Sequence, residues 1–126
     1  IFNEVTPSSN TWQAGAGGMA GVQICVNVAK SHSTVQIWIH RRDELENHAA
    51  LDVLYRHRDE IENHFKDLTV DWRKSKTAIF EVKHTGIGYT EPSDKDLEIV
   101  SHTAGILYSI LQDHLPEIRE EISDLD

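Results

Sequence analysis

Residues 34–65 read TVQIWIHRRDELENHAALDVLYRHRDEIENHF, and a change of period inside this stretch decides the fold. Val35, Ile37 and Ile39 alternate with Gln36, Trp38 and His40, the period-two signature of a strand with one buried face. After Arg41 and Arg42 the period changes. Leu51, Leu54, Ile61 and Phe65 recur at helical spacings among charged residues, which predicts a helix ending near Lys66 or Asp67. Asp43 suits the first turn of that helix, where an acidic group meets the positive end of the dipole.

Upstream, 22–29 predicts a strand with Val22, Ile24, Val26 and Val28 facing the core. A turn at 30–33 pairs it antiparallel with 34–40. Downstream, 68–73 predicts a third strand on the alternation of Leu68, Val70 and Trp72. Residues 77–84 predict a fourth, with Ala78, Phe80 and Val82 on one face. Ser93 with Asp96 three residues on marks a helix start after a loop at 85–92. Leu97, Val100, Ala104, Leu107, Leu111 and Leu115 form its apolar stripe. Pro116 is expected to end, kink or restart that helix, leaving 116–126 as an acidic extension in which Ile118 and Ile122 continue. Residues 1–21 carry Trp12 and glycines 15, 17, 18 and 21, and are expected to form a loop. No phosphate-loop lysine follows these glycines, and they lead into a strand, not a helix, so neither nucleotide fingerprint fits.

The expected fold is α+β: two hairpins, each followed by a helix, give a four-stranded antiparallel sheet with two helices on one face. Parity leaves the other face open and places on it Gln23, Cys25, Asn27, Gln36, Trp38, His40, Asp71, Arg73, Ile79, Glu81 and Lys83.

The length of 126 residues fits a single domain, with 22–115 as its core, and can bury a sizeable core without a metal or disulfide. One cysteine, Cys25, makes no internal disulfide, and a cytoplasmic setting is expected. No run of apolar residues is long enough to span a membrane, and the N-terminus lacks the pattern of a signal peptide. The chain begins at Ile1, which suggests a piece of a longer protein. The net charge of −9 is uneven: residues 1–90 hold 11 acidic against 10 basic residues, whereas 91–126 hold 10 against 2. The acidity therefore belongs to the C-terminal segment and does not exclude a nucleic acid ligand elsewhere.

Several of these segments together resemble a domain of unknown function found in bacterial and archaeal proteins. The resemblance rests on Trp12 before the loop at Gly15–Gly18, the strand and corner at 37–42, Glu46 and Asn47 at the helix start, Leu54 and Tyr55, and Ile61 and Glu62. It covers about residues 8–120 and is weakest over 73–90. It implies an accessory domain without assigned activity, of the kind that follows nuclease-like modules of the PD-(D/E)XK type.

Two constellations bear on chemistry. Asp71, Glu81 and Lys83 match the carboxylate and Glu-x-Lys pattern of metal-dependent nucleases, in which two carboxylates hold Mg²⁺ and a lysine stabilises charge. A solvated strand produces the same pattern for solubility alone, and no strand follows Lys83 to back such a site. The second constellation is basic: Arg41 and Arg42 at the corner, Arg73, Lys74, Lys76, Lys83 and His84 around the second hairpin, with Trp38 as an aromatic platform. His57 and His64 lie seven apart on the first helix with no further zinc ligand at a typical spacing, and read as surface residues.

The expected function is a non-catalytic accessory domain of a nuclease- or defence-type protein. It binds nucleic acid or a partner module through Trp38, Arg41, Arg42, Arg73, Lys74, Lys76 and Lys83. No cofactor is expected. The alternatives are a Mg²⁺-dependent nuclease using Asp71, Glu81 and Lys83, and an interaction or homodimerisation domain burying Trp38, Ile79 and Cys25.

Overall fold

In the computed structural model the described residues are 11–16, 18–29, 32–85 and 94–125, with side chains described for 18–29, 32–85, 96 and 98–125. The elements in chain order are β1 (Thr11–Ala16), β2 (Val22–Val28), β3 (His32–Ile39), α1 (Glu44–Arg56), α2 (Arg58–Asn63), β4 (Thr69–Lys74), β5 (Ala78–Thr85) and α3 (Asp94–Ser123). The strands form one antiparallel sheet in the order β1-β2-β3-β5-β4. The second hairpin therefore docks by its later strand against β3 and leaves β4 at the edge. Because β3 and β4 each run antiparallel to β5, they run parallel to each other, and α1 and α2 form the crossover between them.

The expected α+β class, the four core strands and the two packing helices are all present. Val22, Ile24, Val26, Val35, Ile37, Ile39, Ala78, Phe80 and Val82 lie on one face of the sheet. They form a single buried cluster with Ala50, Leu51, Val53 and Leu54 of α1 and Leu107, Leu111 and Leu115 of α3. Each fully buried aliphatic of this kind contributes roughly 1.5–3 kcal/mol of transfer free energy. Both long helices cover this face, and α1 and α3 also pack on each other. The opposite face is free of helices among the described residues.

Four features differ from the sequence reading. First, residues 11–16 are a strand and not a loop, pairing with β2 across an irregularity between Gln13 and Gly15. The turn that returns the chain to β2 uses Gly18 and Gly21 at φ 87° and 76°, a backbone region open chiefly to glycine. A Cβ on Gly21 would meet Cγ of Arg41 at 2.7 Å, so the glycine also permits close packing.

Second, the helix after β3 divides at His57, whose φ of −105° and ψ of 20° interrupt the helical run between α1 and α2. Third, α3 continues through Pro116 to Ser123. Ile118 is fully buried and Ile122 packs on the core, so the apolar stripe continues at spacings of three and four. The segment after Pro116 is thus part of the packed helix, not an appended tail. Fourth, Cys25 faces away from the helices as expected but is buried. The loop at 86–92, the helix start at Ser93 and residues 1–10 lie outside the described residues.

Candidate functional site

Cross-strand register arranges the helix-free face in three rows. The first runs Gln23, Trp38, Ile79, Arg73. The second runs Cys25, Gln36, Glu81, Asp71. The third runs Asn27, Thr34, Lys83, Thr69. Every residue that parity assigned to this face is placed there by the register, except that His40 lies just beyond the end of β3. Its ring packs against Trp38 at a tilt of 31° with centroids 4.1 Å apart, and its Nε2 is buried with no hydrogen-bond partner among the described residues.

The centre of the face is a charge ladder. Asp71 and Glu81 are register partners, and Arg73 donates to both, at 2.7 Å to Asp71 Oδ2 and 3.1 Å to Glu81 Oε1. Gln36 Nε2 adds a bond of 2.7 Å to Glu81 Oε1. Burial pushes the Glu81 carboxyl up, but the hydrogen bonds from Arg73 and Gln36 outweigh it and hold it below the ordinary carboxylate range. The Arg73 guanidinium is raised by the same hydrogen bond to Glu81. Two carboxylates with a guanidinium between them form an ion-pair network. Arg73 already supplies the positive charge that a divalent cation would bring, and Lys83 stands one row away. The residues present therefore do not fit a Mg²⁺ site. Among the described residues, no group of three or more His, Cys, Asp or Glu side chains is placed to hold a metal.

The basic residues of the sequence separate into two sets. Arg41 is committed to the fold: its Nε donates to Glu46 Oε1 at 2.7 Å, and its Nη1 donates to the carbonyl of Ala20 at 2.8 Å. Lys74 has the parity of Trp72, reaches the helix side of the sheet and pairs with Asp52 of α1. His84 is also on the helix side, buried, with its ring Nε2 2.7 Å from Thr103 Oγ1. Thr103 spends its hydroxyl proton on the carbonyl of Ile99, so His84 must donate through Nε2. Burial lowers the His84 pKa, favouring the neutral ring.

Arg42 and Lys76 are both exposed, and neither makes an ion pair among the described residues. They belong to the same end of the sheet, because Ile39 at the end of β3 pairs with Ala78 at the start of β5. Asn47, fully buried, fastens the two segments. Its Oδ1 accepts from the Arg41 N–H at 2.7 Å, and its Nδ2 donates to the carbonyls of Arg41 at 3.1 Å and Lys76 at 2.9 Å. Asn47 entered the sequence reading only through the family resemblance; nothing in its spacing foretells this bridge.

His57 stacks on His114 of α3 with centroids 4.4 Å apart and lies 3.3 Å from Glu117 Oε1, while His64 is exposed. Cys25 has its thiol pKa raised by burial, the opposite of an activated nucleophile.

Among family models, residues 1–104 match one described as Domain of unknown function (DUF4268). No curated protein matches the chain. No solved structure matches it either.

Proposed function

The chain belongs to the DUF4268 family, and from that premise we propose that it is a non-catalytic accessory domain which docks a nuclease-type partner module through the helix-free sheet face. The observation that carries this reading is the first row of that face. Trp38 and Ile79 are adjacent register partners flanked by Gln23 and Arg73, with no helix over them. Tryptophan and arginine are enriched among interface hot spots. The unpartnered His40 Nε2 beside Trp38 adds a polar atom that gains from rearrangement against a partner. Charge supports a protein over a polyanion: Asp71 and Glu81 offset Arg73 and Lys83 across the face.

The test is calorimetric titration of a PD-(D/E)XK-type module into this domain, native and Trp38→Ser. The reading expects the variant to stay folded and to bind at least about tenfold more weakly. Equal affinity would remove Trp38 from the interface.

A second reading, contact with nucleic acid, is favoured by one observation: Asn47 ties the main chain of Arg41, next to the exposed Arg42, to that of the exposed Lys76 at one end of the sheet. Anisotropy of labelled oligonucleotides across a salt series tests it. Binding that weakens with salt and with Arg42→Ala plus Lys76→Ala supports the contact, and no binding at low salt removes it.

A further inference from the structure

The chain carries a net charge of −9, so two copies repel each other on average. The helix-free face differs from that average. Its three rows hold two acidic residues, Asp71 and Glu81, against two basic ones, Arg73 and Lys83, and so carry no net charge. Both carboxylates are also partnered within the chain: Arg73 donates to each, and Gln36 donates to Glu81. Covering this face therefore brings no net charge together and strands no unpaired acid.

The register decides how two such faces fit. A two-fold axis parallel to the strands, midway between β3 and β5, sets each row against the same row of a second copy with the strand order reversed. In the first row Trp38 then meets Ile79 of the second copy, and Ile79 meets Trp38. Both are half-buried in the single chain, and each covers the other in both halves of the pair. In the second row Gln36 meets Glu81, an amide donor opposite a carboxylate. In the third Lys83 meets Thr34. No like charges stand directly opposite each other. An axis across the strands through the middle row would instead set Glu81 against Glu81 and Asp71 against Asp71, a repulsive arrangement. Charge thus selects one of the two symmetric pairings, and that one also matches apolar with apolar.

Four strands about 4.8 Å apart and three rows about 6.7 Å apart make a face of roughly 400 Å² per copy, so a pair closes on the order of 1,000 Å² of accessible surface, the small end of specific interfaces. Such a pair is weak and exchanges readily. We propose that the free domain pairs through this face with a second copy, about the axis between β3 and β5, and that the pairing keeps Trp38 and Ile79 covered until the partner module competes for them. The competition rests on the docking reading above; the pairing does not.

Sedimentation of the whole chain from about 10 µM to about 1 mM is expected to show a weight-average mass that climbs from one chain towards two, and Trp38→Ser is expected to move that rise at least about tenfold higher in concentration. The axis is tested by crosslinking. In a Cys25→Ser background, a mixture of Asn27→Cys and Thr69→Cys chains is expected to crosslink through a short bismaleimide far more than either chain alone, because the axis sets these two positions opposite each other. Addition of a PD-(D/E)XK-type module is expected to convert the pair into a one-to-one complex. A monomer at every concentration would overturn the proposal, as would a dimer indifferent to Trp38→Ser or equal crosslinking in the unmixed samples. A complex of the module with the intact dimer would overturn the competition alone. A module that binds neither form would remove the docking reading and leave the pairing to stand on the sedimentation.

Discussion

Asn47 donates to the main-chain carbonyl of Lys76 across 29 residues of sequence, and this one side chain ties the corner after β3 to the β4–β5 turn. It also takes the Arg41 N–H and returns a bond to the Arg41 carbonyl, so the carboxamide is used at both ends. Asn47→Ala is expected to leave buried main-chain groups unpaired and to cost roughly 2–4 kcal/mol in denaturant unfolding, with m unchanged. Asn47→Asp should also destabilise, since a carboxylate cannot make the two donated bonds.

Arg73 keeps Asp71 and Glu81 together as register partners. Like charges directly opposite on neighbouring strands destabilise the pair. Arg73→Met is therefore expected to lose up to about 1 kcal/mol, more at low salt than at high. Adding Glu81→Gln should recover most of that loss in a double-mutant cycle.

Stability should fall with acid in two windows. The His84 pKa is lowered in the folded chain, so below the unfolded histidine value of about 6.5 the unfolded state takes up a proton first. Stability contributed by neutral His84 is present above that value and lost as pH falls through it. His84→Gln, which keeps the donor to Thr103, should flatten this part of the profile. Glu81 is likewise depressed, so its contribution is present above the unfolded carboxylate range and is lost as pH falls from there through the lower folded value. Chemical denaturation at a series of pH values checks both.

Cys25 is 8% exposed and its thiol is raised by burial. Its alkylation is expected to be slow in the folded chain and rapid in denaturant, with no loss of partner binding on treating the native domain.

The sequence made the sheet legible because each strand alternates cleanly and the parity of Trp38, Ile79 and Glu81 transfers directly to a face. The same parity puts Lys74 with Trp72 on the helix side; grouping it with Arg73 in one cluster weighed closeness in the chain above the direction of the side chain. β1 was hidden because its Gly-containing segment lacks the long apolar alternation of β2 and is held by pairing at a sheet edge. The division at His57 carries no Pro or Gly to announce it, and its stacking on His114 joins residues distant in sequence. Pro116 misled in the opposite sense: the spacing of Leu111, Leu115, Ile118 and Ile122 outweighs the loss of one main-chain hydrogen bond.

On the proposed reading a nuclease-type module docks on the helix-free face around Trp38. Its most direct test is photocrosslinking with a benzophenone amino acid placed at Gln23, in the row of Trp38, or at Glu60, an exposed position on α2. A crosslink to the module is expected from position 23 and none from position 60. A crosslink from position 60 alone, or from neither position, would contradict it.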